Sequence, residues 1–469
     1  MDTNTVKVPA RLTLSVIAAC LVSFCGLLTE TAVNIAFPAI MADLGVSIST
    51  IQWLTTGNLL VVAMITPLSS FLQKRFKLKT LFGFGTLMFL LGSALAFLAP
   101  SFPVLLAARC IQGIATGVGV PIAFSIILEQ IPPEKSGTFM GFGALVTAAA
   151  PALGPTYGGV ITSTLGWRNI FAILIPVLAL TMLLGMVSIR EIRVPQRTPI
   201  DLPGILLIMA TFFCLVFGFA NIGSIAAAPI PELLLFAVGL AALILFVRHC
   251  SRAKFPLIQV EIFKNIPFVC HLVSFFLINA IMLGTAFLLP NYLQVVLGVA
   301  SMAAGFMMLP GAALNAVSGP VSGGILDCSG PQVPILAGSL LMGVGILLMA
   351  LFGTSLSPTM IVGFYIVSGV GCGFAFGSTM TTGMTRLPME LKSYGNTAFN
   401  TLMQFAGAVG TSVMAVCVAF AQNSAGPLSH AAKTALGATH GFVILLVLSV
   451  LCIVLQIVGF RSYSRANMR

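Results

Sequence analysis

Fourteen apolar runs, most of about twenty residues, divide this sequence and leave few ways to fold it. They lie near 12–37, 51–72, 80–99, 103–127, 137–161, 168–188, 202–222, 232–248, 268–290, 304–326, 333–353, 357–383, 394–421 and 438–460. As helices rising 1.5 Å per residue, they can each cross about 30 Å of hydrocarbon. Of the 469 residues, 58% are hydrophobic and 7% are charged, against roughly 25% charged in a soluble domain. So few charges cannot cover a water-facing surface of the size this length demands. The surplus apolar surface needs a lipid solvent, where only helices or closed barrels satisfy their backbone. Barrel strands would alternate over about ten residues, so the runs predict an all-α membrane protein.

The net charge of +11 does not make the chain a nucleic-acid binder, because its basic residues lie in short clusters between the runs. The ten cysteines contain no CxxC pair and mostly sit inside apolar runs, as small packing residues do. No metal site and no cofactor are expected. The first run carries Glu30 and is too long for a signal-peptide core, so it is read as a span.

The basic residues test the span count independently. With the N-terminus cytoplasmic, 19 of the 22 lysines and arginines fall on the cytoplasmic side. The exceptions are Arg168 and Lys433 outside, and Arg109 within a span. The opposite orientation would invert nearly every loop, and a miscounted helix would break the alternation midway. Fourteen transmembrane helices with both termini cytoplasmic follow.

An internal repeat divides them. Gly113, Gly117, Pro132 and Glu134 in and after the fourth span are echoed by Gly369, Gly373, Pro388 and Glu390 in and after the twelfth. The first and ninth spans end alike, Ala36-Phe37-Pro38 leading to Gly45 and Ala286-Phe287 with Pro290 leading to Gly298. The spacing predicts two six-helix halves, 1–190 and 266–469, with two inserted helices and their cytoplasmic linkers at 191–265. Such repeats commonly hold a substrate between the halves near the midplane.

Ionisable groups at membrane depth are costly and mark function. Asp201, Asp327, Glu129, Glu134, Glu261 and Glu390 read as cytoplasmic helix ends, and Asp43 and Glu232 as outer loops. Glu30 is the acid clearly inside a span and Arg109 the base, both at about 10–12 Å below the outer surface. Desolvation favours a neutral carboxyl, whereas a nearby cation favours the charged one. That competition suits a proton-coupling carboxylate; a static ion pair or a glutamate in a wet vestibule are the other readings. Candidate substrate contacts are Thr29, Asn34, Gln52, Trp53, Asn58 and Gln112 in the first half. In the second they are Asn279, Tyr292, Gln294, Asn315, Asn400 and Gln404. Interhelical hydrogen bonding is the alternative for each. His271 reads as an interfacial histidine, with proton relay as its other role. Gly113, Gly154, Gly158 and Gly159 let helices approach closely, and Pro155 bends the fifth.

Several of these residues carry a family resemblance. Leu105-x-x-x-Arg109-x-x-Gln112-Gly113 is similar to motif B of the major facilitator superfamily. Ala150-x-x-x-Gly154-Pro155-x-x-Gly158-Gly159 resembles its motif C, the antiporter signature, and Trp167-Arg168-x-Ile170-Phe171 follows as in the fourteen-helix drug:proton antiporter branch. Pro290-x-Tyr292-Leu293-Gln294 and Leu309-Pro310-Gly311 also fit that branch. In its first-helix motif, Thr31, Asn34, Ala36 and Pro38 match, but Thr29 stands at the aspartate position and the acid, Glu30, comes one residue later. One residue turns a helix by about 100°. The loop after the second span, Ser69-Ser70-Phe71-Leu72-Gln73-Lys74-Arg75, lacks the usual glycine and aspartate and is similar to one subgroup that includes lincosamide-type exporters. Gly323-Gly324-Ile325-Leu326-Asp327 keeps more of that pattern, with Asp327 as a conformational residue.

The resemblance implies a major facilitator fold in a bacterial cell membrane and proton-driven export of amphipathic, cationic or neutral drugs, hence antibiotic resistance. Its partners would be small-molecule substrates, protons and the lipid bilayer, with the chain acting as a monomer. One intramembrane acid suits a low proton stoichiometry. A narrow-specificity carrier for a metabolite, lipid or peptide, and a non-transporting sensor or scaffold, are the alternatives. No catalytic constellation points to an enzyme.

Overall fold

The computed structural model describes residues 9–191, 201–220, 229–253, 256–424 and 427–467. It is all-helical, with no strand among the described residues. The first half comprises α1 (Ala10–Leu44), α2 (Ile48–Ile51), α3 (Trp53–Arg75), α4 (Leu78–Phe97), α5 (Phe102–Gln130), α6 (Pro133–Thr164), α7 (Asn169–Ala172) and α8 (Leu174–Ser188). The inserted hairpin is α9 (Leu202–Ala220) and α10 (Pro229–Cys250). The second half follows as α11 (Ile266–Asn291), α12 (Ser301–Ser329), α13 (Gln332–Leu351), α14 (Pro358–Thr385), α15 (Lys392–Gln422) and α16 (His430–Asn467).

Thirteen spans among the described residues are long and apolar enough to cross a membrane, and α6, with 32 residues, is the fourteenth long helix. The short α2 and α7 lead into α3 and α8 and complete single spans. Helix ends follow local chemistry. Gly45 and Gly298, the paired glycines of the repeat, both adopt φ of 64°, a left-handed stop that glycine reaches without strain. Asn265 caps α11, its Oδ1 accepting from Phe268 N at 3.1 Å, and Ser357 caps α14 through Met360 N at 3.3 Å.

Two boundaries differ from the sequence reading. The helix α1 continues through Pro38 to Leu44, so Glu30 lies well inside it and Asp43 belongs to its last turn rather than to a loop. Glu232 likewise sits buried in the first turn of α10, not in an outer loop.

The repeat is visible as equivalent contacts between backbones. In the first half, methyl groups added at Gly85 and Gly92 of α4 would meet the carbonyls of Ala115 and Ala108 on α5. In the second, Gly338 and Gly345 of α13 face the carbonyls of Gly371 and Phe364 on α14 in the same way. Gly113 and Gly117 lie on the carbonyls of Asn58 and Val62 of α3, and Gly369 and Gly373 lie on those of Gly311 and Asn315 of α12. Gly154 of α6 meets the Leu28 carbonyl of α1, as Gly410 of α15 meets the Ala280 carbonyl of α11. Without a hydrophobic drive between helices in lipid, such close approaches supply the packing.

The halves meet toward the outer side. Five hydrogen bonds between them are described, and all lie there. Gln294 Nε2 donates to Ile35 O at 2.9 Å. Thr56 Oγ1 pairs with Thr411 Oγ1 at 3.2 Å and Ser412 Oγ at 3.1 Å. Thr156 Oγ1 donates to Gly305 O at 3.2 Å, and Met302 N to Ser163 Oγ at 3.0 Å. Phe37 and Phe287, from the two repeat-related helix ends, meet edge to face at 5.9 Å. Gly159 packs on Ser301 and Gly305 on Pro155, backbone to backbone. The outer side is therefore sealed by α6 against α12 and by α3 against α15.

The inserted hairpin covers one flank of that joint. Phe217 of α9 lies 5.3 Å from Trp53 of α3, and Phe212 lies 5.0 Å from Phe405 of α15, so one helix touches both halves. Asp201 anchors it, accepting from Gly204 N at 3.1 Å and Leu257 N at 3.2 Å and pairing with His249 Nε2 at 2.5 Å.

Candidate functional site

Arg109 on α5 is 1% exposed and is held by three helices. Its Nε donates to the Leu54 carbonyl of α3 at 3.2 Å, and its Nη1 to Gln112 Oε1 at 2.7 Å. Gln112 Nε2 passes the chain on to Ser93 Oγ of α4 at 3.0 Å, and Asn58 Nδ2 donates to the Arg109 carbonyl at 2.7 Å. The Leu105-to-Gly113 spacing makes this possible: Arg109 and Gln112 are one turn apart on one face, and Gly113 lets α3 come close enough to offer its carbonyl. One guanidinium nitrogen, Nη2, has no partner among the described residues.

Glu30 is 5% exposed and interacts electrostatically with Arg109. Among the described residues no ion pair within 4.0 Å and no hydrogen bond forms on its carboxylate. The arrangement is an open pair: a buried acid and a buried base close enough to feel each other, each with unused hydrogen-bonding capacity. A buried charge left this way is expensive, so the pair can exchange a proton, a ligand or water at low cost. The direct static ion pair is not formed in this conformation.

The other first-half candidates divide. Asn34 Oδ1 accepts from Thr55 Oγ1 at 2.7 Å while its Nδ2 is buried and unpartnered. Gln52, at the junction of α2 and α3, buries both polar ends of its side chain without partners among the described residues. Thr29 instead turns back on its own helix, donating to Cys25 O at 2.5 Å, and Trp53 packs on the inserted α9. Thr29, at the position where the resemblance puts an aspartate, thus spends its hydroxyl on its own helix, and the buried acid of α1 is Glu30.

Second-half candidates are mostly committed elsewhere. Asn279 Nδ2 donates to the Met403 carbonyl, tying α11 to α15. Gln294 belongs to the outer seal, also accepting from Ser301 Oγ at 2.7 Å. Asn400 donates to Asn396 O at 2.9 Å on its own helix. Tyr292 is buried in a π-helical turn, Tyr292–Val296, and Gln404 is buried on α15. Asn315 borders a small cavity within the half. His271, near the cytoplasmic end of α11, is fully buried between helices; neither ring nitrogen has a partner among the described residues, and the ring meets Phe460 edge to face at 5.2 Å. The side chain of Asp327 lies outside the described residues.

The motif glycines behave as close-packing positions. Gly154 and Gly158 lie on α1 at Thr31 and Ala32, and Gly159 lies on α12. Pro155 stands inside a continuous α6, its carbonyl against Gly305. Two groups escaped the sequence reading. Gln73 donates to Ser69 Oγ at 3.1 Å and accepts from Ser125 Oγ at 2.6 Å on α5, a neutral latch in the stretch whose usual aspartate is missing; that stretch is the end of α3 rather than a loop. Outside, Asp43 accepts from Trp167 Nε1 at 3.1 Å and Arg168 Nη1 at 2.6 Å, with the Arg168 guanidinium 4.2 Å from the Trp167 ring centre. The Trp167-Arg168 dipeptide signalled this clamp, but its partner across 125 residues could not be read locally.

Comparison with known proteins agrees with this architecture. The chain is 33% identical over 445 residues to the lincomycin resistance protein LmrB of Bacillus subtilis (strain 168), covering 93% of each. It is 29% identical to the tetracenomycin C resistance and export protein of Streptomyces glaucescens, covering 84% of this chain and 73% of that one. Its fold matches a solved bacterial homolog of the human lysosomal transporter Spinster, with a TM-score of 0.67 at 14% identity, covering 97% of this chain and 98% of the other. The sequence pattern described as Major Facilitator Superfamily matches residues 19–411. The chain belongs to the Major Facilitator Superfamily, as a multi-pass membrane transporter whose relatives are named for drug resistance and export.

Proposed function

We propose that this transporter is a proton-coupled antiporter that exports amphipathic, cationic or neutral drugs, with Glu30 as the coupling acid. The observation that carries the reading is the open Glu30–Arg109 pair, buried but without a direct ion pair. When the carboxyl is protonated its desolvation is cheap; when it is ionised it draws on Arg109 or on a cationic substrate. Proton and substrate can then alternate at one group. A proton falling through 100 mV releases about 2.3 kcal/mol, to which a pH gradient adds. The halves 1–190 and 266–469 rock about the outer contacts, with 191–265 as the inserted pair, and the unpartnered amides of Asn34 and Gln52 supply hydrogen bonds to a ligand. The named relatives make lincomycin a first drug to try.

The test is ethidium uptake into inverted membrane vesicles with an imposed proton gradient. Proton-driven uptake by the wild type that is lost in Glu30→Gln is expected. Undiminished pH-driven uptake in Glu30→Gln would sink the assignment and move coupling to another group, with His271 examined next.

A further inference from the structure

The repeat contacts fix a residue-by-residue correspondence between the halves. Gly113 and Gly369 are equivalent, each lying on a carbonyl of the second helix before it in the same half, α3 or α12, and four residues earlier stand Arg109 and Tyr365. Leu28 and Ala280 are equivalent through Gly154 and Gly410, and two residues later stand Glu30 and Met282. Met282 and Tyr365 both line one cavity of the second half, together with Asn315, Ser368 and Cys372. This cavity is therefore the internal counterpart of the Glu30–Arg109 site, with the acid replaced by a thioether and the base by a phenol.

Its chemistry is unfinished but uncharged. The Asn315 side chain meets only sulfur, donating to Met282 Sδ at 3.9 Å and pairing with the Cys372 thiol, and both sulfurs are weak hydrogen-bond partners. No hydrogen-bond partner is described for the hydroxyls of Ser368 and Tyr365. Room for about one water-sized group, ≈ 10 Å³, remains between these polar atoms and the flexible Met282 side chain. Asn315, Met282 and Tyr365 are all partly exposed rather than sealed in.

We propose that this cavity is a neutral subsite that takes an uncharged hydrogen-bonding substituent, a hydroxyl or amide, of an amphipathic substrate. The inference rests on the exporter reading and deepens it: the first half handles charge and the proton, and the second half reads neutral polar groups. A duplicated site has diverged into two chemistries.

The experiment compares two probes on purified, detergent-solubilised protein: lincomycin, which is rich in hydroxyls, and tetraphenylphosphonium, a cation with no hydrogen-bonding group. Dissociation constants come from ligand-dependent thermal shifts for the wild type, Tyr365→Phe and Asn315→Ala. Each variant removes about one neutral hydrogen bond, so lincomycin binding should weaken about 3- to 10-fold relative to tetraphenylphosphonium binding. Lincomycin binding that is unchanged in both variants overturns the subsite, as does equal weakening for both probes, or a wild type that binds no lincomycin. Proton-driven uptake of tetraphenylphosphonium is measured alongside in proteoliposomes. Uptake of neither probe by the wild type refutes the exporter reading, while the binding ratio still decides the subsite.

Discussion

Adding one methyl group at Gly305 should unlock the outer seal. A side-chain carbon there would overlap the Pro155 carbonyl oxygen, with the carbonyl carbon at 3.0 Å and Thr156 Cα at 3.1 Å. Ordinary contact begins near 3.4 Å, and both obstacles are backbone, so neither can rotate away. The helices α6 and α12 must part by a few tenths of an ångström or more. Overpacking of this kind costs about 1–3 kcal/mol, and the neighbouring bonds Thr156–Gly305 and Ser163–Met302 lose part of their about 0.5–1.5 kcal/mol each. The cost falls on the sealed state alone, because this contact joins the two halves. A bias of about 1–3 kcal/mol is a 5- to 150-fold change in the ratio of states. Spin labels at the exposed Leu165 and Ala300, in a cysteine-free background, report the separation of the two helix ends by pulsed electron resonance. Gly305→Ala should add a longer-distance component and slow drug uptake; Gly363→Ala, where a methyl meets nothing within 4 Å, should do neither. An unchanged distance distribution in Gly305→Ala would show that this backbone contact is not part of the gate.

Arg109→Lys keeps the charge but cannot reproduce the fork that reaches both Leu54 O and Gln112 Oε1. It should lose about 1.5–3 kcal/mol for a missing charged hydrogen bond, seen as a lower thermal midpoint of the solubilised protein; a midpoint at or above wild type contradicts the hub. Asp201→Ala removes the acceptor for Gly204 N, Leu257 N and His249 and should loosen the anchored end of the hairpin. Trypsin should then cut faster at the exposed Arg252 in inverted vesicles, and equal cleavage rates would argue that other contacts hold the hairpin.

Much of this could be read from the sequence because lipid imposes strong rules. Spans must be apolar and of nearly fixed length, so thirteen among the described residues are long and apolar enough to cross, and the fourteenth long helix, α6, coincides with the run near 137–161. The glycine echo was legible because each glycine marks a helix contact that the fold makes twice. What escaped were properties of side-chain direction. Asn279, Gln294 and Asn400 have the composition of ligand contacts, yet each is spent on a protein carbonyl; only the neighbouring backbone decides that. The burial of His271 is likewise set by its neighbours, α14 and α16, which enclose it through Gly383, Gly459 and Phe460, and its own helix does not show them. The length of α1 escaped for the opposite reason: helix can continue in water past the last apolar residue, and Pro38 did not stop it.

The joints between the first and fifth helices of each half bear on how freely parts can be exchanged. In the first half Gly158 is the socket and Ala32 the body that fills it; in the second, Met414 is the body and Gly284 the socket. A recombinant that placed α11 against α6 would set glycine opposite glycine and leave a gap. One that placed α1 against α15 would press methionine onto alanine. The two copies of this joint have been cut to opposite shapes, so neither could return to serve in the other's place.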